Sequence, residues 1–251
     1  MNTELKDKVV VITGGAKNMG QAFALNLAKQ GCDIVIHYHS DHSFVEAEKT
    51  AQKITAMGQR ALVIQGDLAQ QSHVINLFTQ TKEAYGKVDI VINNAGQISK
   101  KAFIDYTEDD FNRLFNINCK GAFFVMQQAA KFLEDNGRVI NIGTSLLDAF
   151  TGNYALYAGS KAPLEQFTKA LAKEVGARGI TVNMICPGPI DTDFFHQQED
   201  PDSVAFLNTA SVAGRLGKVE DIVPVVEFLA SAKSQWTTGQ TLLVNGGFVA
   251  R

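Results

Sequence analysis

The sequence is poor in cysteine and in long hydrophobic runs, and each absence excludes a class of protein. It has three cysteines in 251 residues, Cys32, Cys119 and Cys186, with no C-x-x-C pair. An odd number of widely separated cysteines argues against a disulfide framework or a zinc site and favours thiols in a reducing cytosol. No apolar run approaches the roughly 18 residues that a membrane-spanning helix needs. We therefore expect a cytoplasmic protein that holds no metal.

An excess of charge of either sign is also missing. Lysine and arginine total 23 and aspartate and glutamate total 26, which gives a formal net charge of −3. A nucleic-acid surface usually needs a basic stripe, and this balance argues against one. The first residues, MNTELKDKVVVITGG, are charged and have only a short apolar run, unlike a signal peptide. We expect neither nucleic acid nor a membrane as a partner.

Short β-branched runs alternate with longer helical stretches along the whole chain. The apolar centres of the runs are nearly continuous, which indicates strands buried on both faces of a sheet. Such alternation predicts right-handed βαβ units and one α/β domain with a doubly wound, mostly parallel sheet and helices on both faces. The strand candidates are 8–13, 33–38, 61–66, 87–94, 137–143, 180–188 and 241–247, and the helical stretches are 19–30, 43–57, 70–85, 107–134, 155–176 and 219–232.

The first strand is followed by a glycine turn, GGAKNMG at residues 14–20, and then by a helix. In doubly wound sheets ligands bind beyond the carboxyl ends of the strands. A glycine turn before a helix favours a pyrophosphate, because free backbone N–H groups and the helix dipole both attract an anion. The spacing is not G-x-G-x-x-G. Asn18 lies inside the turn, and asparagine tolerates left-handed backbone angles better than most residues.

The stretch ALYAGSKAPLEQF, residues 155–167, has Tyr157 four positions before Lys161. On a helix this spacing puts both side chains on one face. A cation about 5 Å away stabilises a phenolate by roughly 3 kcal/mol, or about two pKa units, although desolvation opposes the effect. A tyrosine tuned towards neutrality can act as a general acid or base. Pro163 cannot donate to the carbonyl of Gly159, and we expect a bend there.

Together these motifs resemble those of the short-chain dehydrogenase/reductase family. Thr13, Gly14 and Gly20 match its T-G-x-x-x-G-x-G turn, with Asn18 in place of the middle glycine, and N-N-A-G at 93–96 matches without a mismatch. The resemblance extends to TTGQTLLVNGG near the end, and 3-oxoacyl-carrier-protein reductases are one branch to which it is similar. It implies a single Rossmann-type domain over residues 1–251 with a seven-stranded sheet. It also implies hydride transfer between a nicotinamide cofactor and a ketone, aldehyde or secondary alcohol.

The choice of nicotinamide cofactor depends on the end of the second strand. An NAD-preferring site usually has a carboxylate there, whereas this sequence has Tyr38. Lys17, His39 and Ser40 suit a 2′-phosphate, and in the family a basic residue at the place of Lys17 is a mark of NADP. The alternative is that Lys17 is a solvated turn residue and Asp41 contacts the adenine ribose. We expect NADP(H), with NAD(H) as the other possibility.

The resemblance also implies roles for single residues. Tyr157 would exchange the proton, Lys161 would hold the ribose and lower the pKa of the tyrosine, and Asn118 would keep a water path for reprotonation. A further hydroxyl would donate to the substrate oxygen; ungapped spacing selects Thr144, and a shifted loop would present Ser145 instead. The cofactor-binding residues that the resemblance implies are Tyr157 and Lys161 together with Gly14, Lys17, Asn18, Met19, Gly20, His39, Ser40, Asp67, Leu68, Asn94, Ala95, Gly96, Pro187, Gly188, Ile190 and Thr192.

The segment 190–213 follows the expected nicotinamide turn and lacks strand character. Its apolar residues either close the substrate site as a lid or form a surface excursion packed on the core; they are Phe194, Phe195, Phe206 and Leu207. Three further residues are candidates for an apolar wall of the substrate site: Leu147, Phe150 and Tyr154.

The resemblance further implies a homotetramer or a homodimer. Small residues in and after the Tyr157 helix would permit close helix packing: Ala158, Gly159, Ala162 and Ala170. Two other functions compete with the small-molecule oxidoreductase. One is an NADP-binding sensor or regulator without turnover, and the other is a methyltransferase, which would need neither Y-x-x-x-K nor N-N-A-G.

Overall fold

Apolar β-branched runs form a seven-stranded sheet in the computed structural model, which describes residues 3–250. All strands are parallel and lie in the order β3-β2-β1-β4-β5-β6-β7. The seven predicted strands are therefore confirmed, and the sheet is parallel throughout. The strands are β1 Val9–Ile12, β2 Asp33–Tyr38, β3 Ala61–Gln65, β4 Val88–Asn93, β5 Leu133–Ile142, β6 Thr181–Pro187 and β7 Thr241–Val244.

Helices connect these strands and cover both faces of the sheet. They are α1 Asn18–Lys29, α2 Asp41–Ala56, α3 Gln71–Tyr85, α4 Glu108–Phe115, α5 Ala122–Phe132, α6 Ala155–Lys161, α7 Pro163–Val175, α8 Asp193–His196, α9 Pro201–Ala210 and α10 Val219–Ala230. Among the described residues, no helix is both long and apolar enough to cross a lipid bilayer.

Side-chain alternation along the strands divides the core into two layers. Val10 and Ile12 of β1 face one side, where they pack with residues of α1, α2 and α10. Val9 and Val11 face the other side, towards α3, α5 and α7. Because both layers are apolar, the strands read as continuous hydrophobic runs rather than as an alternating pattern. Helices therefore cover both faces of the parallel sheet, which confirms the predicted doubly wound domain.

The strand order reverses between β1 and β4, which lie side by side: β2 and β3 follow on one side of this pair, and β5 to β7 on the other. At such a switch point the loops that follow the two strands diverge to opposite faces and leave a crevice beyond the carboxyl ends. The glycine turn follows β1 and N-N-A-G follows β4, so both motifs lie at this crevice.

The predicted single helix over 107–134 is wrong in its middle and at its end. A π-helical segment, Asn116–Gly121, separates α4 from α5, and α5 ends at Phe132 where β5 begins. The helical periodicity of the sequence could not reveal the π segment. One widened turn leaves the residues on either side of it helical. π segments often occur at functional sites, and this one carries Asn118.

Pro163 divides the predicted helix 155–176 into α6 and α7 by removing one hydrogen bond. Ala162, between the two helices, keeps helical angles of φ −56° and ψ −40°, and its N–H donates to the carbonyl of Ala158 at 2.9 Å. Pro163, the first residue of α7, has no N–H to donate to the carbonyl of Gly159. The backbone therefore continues from α6 into α7, and the expected bend stays a prediction.

The segment after β6 contains two short helices, α8 and α9, that the sequence pattern did not predict. Asp200 caps α9 by accepting from the main-chain N–H of Ser203 at 2.8 Å, and Pro201 follows at the first position. We call residues 193–210 the lid segment.

Candidate active site

The turn after β1 has a backbone that only particular residues adopt. Gly14 has φ +63° and Asn18 has φ +51°, so both are left-handed, and Asn18 takes the conformation for which asparagine is suited. Gly20 has no room for a side chain, because a Cβ there would lie 2.1 Å from the carbonyl oxygen of Gly14. The turn and the start of α1 are therefore in direct backbone contact, and residues of both line one cavity, so that together they form a backbone cradle.

The turn after β4 is hydrogen-bonded to the turn after β1. The hydroxyl of Thr13 accepts from the main-chain N–H groups of Asn94 and Ala95 at 2.9 and 3.0 Å. The amide Nδ2 of Asn94 donates to the carbonyls of Thr13 and Gly14 at 3.0 and 3.2 Å. These bonds explain why T-G and N-N-A-G occur together: each motif fixes the position of the other at the crevice.

His37 joins the first turn to the turn after β3, and sequence reasoning missed it. Its Nδ1 lies 3.3 Å from the N–H of Gly14, and its Nε2 lies 2.9 Å from the carbonyl of Gly66. These partners fit a neutral ring that accepts at Nδ1 and donates at Nε2. Burial lowers the pKa of His37 to about 4, which keeps the ring neutral. Its place inside a strand predicts only burial, so this link could not be inferred from the sequence.

A cavity of about 500 Å³ runs along the crevice from the glycine turn to α6. Most of the expected cofactor-binding residues line it: Gly14, Lys17, Asn18, Met19, Gly20, His39, Asp67, Leu68, Asn94, Ala95, Gly96, Tyr157, Lys161 and Thr192. Ser40 does not line the cavity, whereas Ser43, in the first turn of α2, does. The cavity has the backbone cradle at one end and Lys161 at the other. This arrangement fits a dinucleotide.

The adenosine end of this cavity has a cation but little carboxylate. Lys17 is exposed and His39 has 61% of its side chain accessible. Asp41, the alternative ribose ligand, is absent from the cavity wall and accepts from Gln65 at 2.9 Å. Asp67 lies in the wall, and its carboxylate accepts from the N–H of Ala69 at 3.0 Å. The surroundings of Lys17 therefore favour a 2′-phosphate over a free ribose hydroxyl.

Tyr157 and Lys161 lie on one face of α6, and both are buried. The Nζ of Lys161 donates to the carbonyl of Ile142 at 2.8 Å. Burial lowers the pKa of Lys161 to about 8. Burial also raises the pKa of Tyr157 to about 12, with a hydrogen bond to Thr144 acting in the opposite direction. Desolvation dominates the pKa of the tyrosine in the protein's own atoms, and the expectation that the lysine lowers this pKa stays a prediction.

The two candidate hydroxyls differ in what they contact. Thr144 lies near enough to Tyr157 for its side chain to lower the pKa of the tyrosine, and its oxygen accepts from the N–H of Leu146 at 3.2 Å. Ser145 is 1% exposed and donates to the main-chain carbonyl of Cys186 at 2.9 Å. Thr144 therefore lies near the tyrosine, whereas Ser145 links its loop to strand β6.

Asn118 is fully buried in the π segment, and its amide bonds to the loop after β4 and to helix α6. Its Oδ1 accepts from the N–H of Gln97 at 2.8 Å, and its Nδ2 donates to the carbonyl of Gln97 at 2.8 Å and to Ser160 at 3.0 Å. Ser160 in turn donates to the carbonyl of Tyr157 at 2.9 Å. Asn118 therefore links the turn after β4 to α6. Its expected water path remains a prediction.

A second cavity, of about 490 Å³, adjoins the first, and Tyr157 lines both. Thr192 also belongs to both, whereas Pro187, Gly188 and Ile190 line only the second. The lid segment contributes aromatic and apolar wall residues together with Phe150 and Tyr154: Phe194, Phe195, Phe206 and Leu207. Leu147 is not in the wall and packs with Leu164 and Met184. We call this space the substrate cavity.

Comparison with known proteins assigns the family. The family model described as enoyl-(acyl carrier protein) reductase matches residues 14–249. A short-chain type dehydrogenase/reductase of Picea abies is 38% identical, with 98% of this chain and 93% of the relative covered. An NADPH-dependent aldehyde reductase-like chloroplastic protein of Arabidopsis thaliana is 36% identical over 98% of this chain and 95% of its own length.

A solved structure is also very similar. The crystal structure of a dehydrogenase from Burkholderia cenocepacia with bound NADP has a TM-score of 0.97 and 44% identity, and covers 100% of this chain and 97% of that chain. The chain belongs to the short-chain dehydrogenase/reductase family.

Proposed function

We propose that this protein is an NADP(H)-dependent oxidoreductase that transfers a hydride between the nicotinamide and a ketone, aldehyde or secondary alcohol. The observation that carries the proposal is the position of Tyr157, which lies in the wall shared by the dinucleotide-sized cavity and the substrate cavity. A proton donor at that boundary can reach a substrate oxygen while the carbon faces the cofactor. The sensor hypothesis needs no such residue there.

Several observations support NADP(H) as the cofactor. Lys17, His39 and Ser43 all line the cavity, and the Burkholderia cenocepacia relative contains bound NADP. The backbone cradle between Gly14 and Gly20 would hold the pyrophosphate, and Lys161 and Thr192 line the far end near Tyr157. When bound, the nicotinamide supplies or accepts the hydride.

The protein's own residues handle the proton. In the direction of reduction Tyr157 is protonated at neutral pH, since burial raises its pKa to about 12, and it donates to the substrate oxygen. Thr144 donates its one hydroxyl hydrogen to the same substrate oxygen. Lys161, buried and bonded to Ile142, places positive charge beneath the tyrosine. In the direction of oxidation the same groups take up the proton.

An absorbance assay with both cofactors tests the proposal. The protein is mixed with NADPH or NADH and offered a panel of ketones, aldehydes and quinones, while cofactor absorbance is followed. We expect NADPH-dependent turnover of at least one panel member and slower turnover with NADH. Tight NADPH binding with no turnover of any member would instead favour the sensor and contradict the proposal.

Assembly and location are part of the same proposal. Gly159, Ala162 and Ala170 are exposed on α6, α7 and the turn between them, and Phe111 and Phe123 are exposed on α4 and α5. These apolar and small residues support pairing of helices in a homotetramer or homodimer, which light scattering after size-exclusion chromatography tests. A reducing compartment such as the cytosol suits the three widely spaced cysteines.

A further inference from the structure

His37 lies beside the dinucleotide-sized cavity, but the proposed chemistry gives it no task. It lines the cavity together with Gly14, Gly66 and Asp67. The residue is 2% exposed, so protein atoms cover almost all of it. A polar ring buried at the edge of such a space needs hydrogen-bond partners, and those partners indicate what the ring holds in place.

Strand β2 lies between β1 and β3 in the sheet, and His37 holds the turns that follow both neighbours. Its ring Nδ1 accepts from the N–H of Gly14 at 3.3 Å, and its Nε2 donates to the carbonyl of Gly66 at 2.9 Å. The main-chain carbonyl of His37 also accepts from the N–H of Gly15 at 3.0 Å. One residue therefore links the end turns of two strands that are not adjacent in the sheet.

These bonds require one form of the ring. Nδ1 must carry a lone pair to accept from Gly14, and Nε2 must carry the hydrogen that it donates to Gly66. Among residues 3–250, no other hydrogen bond joins the turn 14–20 directly to the turn 66–68. The neutral ring of His37 is therefore the direct polar link between the two turns.

The two turns serve different parts of the same ligand. Gly14 belongs to the backbone cradle that suits the pyrophosphate, whereas Gly66 precedes Asp67 and Leu68, which line the adenosine end of the cavity. A nucleotide has a limited range of distances between its 5′-phosphate and its base. A site that holds its two turns at a matching separation before the ligand arrives loses less free energy on binding.

We propose that His37 is a positioning residue for the nucleotide half of the cofactor. Its neutral ring holds the pyrophosphate cradle and the adenosine turn at the separation that a nucleotide spans. Its task is binding rather than chemistry, which takes place at Tyr157. This role rests on the proposed NADP(H) function and adds to it a residue that determines cofactor affinity.

Three substitutions of His37 remove the two ring bonds in graded steps. His37→Leu removes both. His37→Asn keeps an oxygen near the position of Nδ1 as an acceptor for Gly14, and His37→Gln keeps an amide near the position of Nε2 as a donor to Gly66. We expect His37→Leu to raise the Kd of NADPH about 10-fold or more, the value of one to two hydrogen bonds, with the other two variants in between. These two variants also decide the question if His37→Leu does not fold.

Two ligands and one rate distinguish positioning from a general loss of structure. Fluorescence titration measures the Kd of NADPH, and competition measures the Kd of adenosine 2′,5′-bisphosphate, which lacks the nicotinamide half. We expect both to rise by a similar factor. The kcat at saturating NADPH, with a ketone that the wild type reduces, should stay near the wild-type value, because the lost interaction serves binding alone.

Asn183→Leu is the matched control. Asn183 is 1% exposed and lines neither cavity. Its Nδ2 donates to the carbonyl of Thr237 at 2.7 Å, and its Oδ1 accepts from the N–H of Gln240 at 3.1 Å. Like His37, it is a buried side chain with one bond to a main-chain donor and one to a main-chain acceptor. We expect Asn183→Leu to lower stability and to leave both affinities unchanged.

Three results would overturn the role of His37. The first is wild-type NADPH affinity in the folded His37 variants. The second is a rise in the Kd of NADPH alone, which would assign the effect to the nicotinamide half. The third is an equal rise in Asn183→Leu, which would assign it to stability. A wild type that reduces no ketone would instead count against the proposed function, and the two affinities would still decide the role of His37.

Discussion

The ammonium of Lys161 donates a 2.8 Å hydrogen bond to the main-chain carbonyl of Ile142, the last residue of β5. The bond fastens the short helix α6 to the end of the central sheet. Because Tyr157 is one helical turn away, the same contact fixes where the tyrosine stands between the two cavities. The lysine side chain is buried, so its charge is sensitive to pH.

The stability of the protein should report the titration of Lys161. Burial lowers its pKa from 10.5 to about 8, so between these values the unfolded chain binds more protons than the native protein. Stability from this group is therefore present above about pH 10.5 and is lost as pH falls through about 8. We expect the free energy of unfolding of the wild type, relative to Lys161→Met, to rise between pH 8 and 10. Urea unfolding measures it, and a difference independent of pH would contradict the assignment.

Thr144 and Ser145 should differ in their effect on turnover. Thr144→Val keeps the shape but removes the hydroxyl beside Tyr157, and loss of one such donor typically lowers kcat about 10²-fold or more. Ser145→Ala removes a bond to the carbonyl of Cys186, which should cost about 1 kcal/mol of stability and less activity. Steady-state kinetics and thermal unfolding measure both. A larger kcat loss in Ser145→Ala would reverse the assignment.

Lys17 should select the 2′-phosphate. Lys17→Ala is expected to weaken NADPH binding about 10-fold, the value of one charge-assisted hydrogen bond, and to change NADH binding little. Fluorescence titration measures both dissociation constants. Lys29→Ala, an exposed lysine at the far end of α1 and outside the cavity wall, is the matched control. Equal weakening of the two cofactors by Lys17→Ala would refute this role.

Gly20 should tolerate no side chain. A Cβ would lie 2.1 Å from the carbonyl oxygen of Gly14, so Gly20→Ala must displace the cradle. We expect a loss of about 1–3 kcal/mol of stability and a loss of NADPH affinity. Gly176→Ala is the control, because it has open space around its Cβ and φ −59°. Unaltered NADPH affinity in a folded Gly20→Ala protein would show that the cradle does not hold the cofactor.

Local patterns in the sequence predicted the features that depend on neighbours in the chain. Apolar runs located all seven strands, and four-residue spacing placed Tyr157 and Lys161 on one face. Asn18 was suited to a left-handed angle and has one. Each of these depends on backbone geometry that a few adjacent residues determine.

Features that depend on distant contacts could not be predicted in this way. The pKa of Tyr157 follows from burial in the folded domain rather than from Lys161 alone. His37 reaches Gly14 and Gly66 across three strands, and Lys100 meets Glu199 nearly a hundred residues away. The π segment that carries Asn118 is stabilised by bonds to Gln97 and Ser160, which helical periodicity does not show.

The rate of NADPH oxidation by Tyr157→Phe tests the central claim most directly. Phenylalanine keeps the ring between the two cavities and removes only the proton that the account assigns to catalysis. With saturating NADPH and a ketone that the wild type reduces, we predict a fall in kcat of about 10²–10⁴-fold with NADPH affinity nearly intact. Turnover at the wild-type rate would contradict the account.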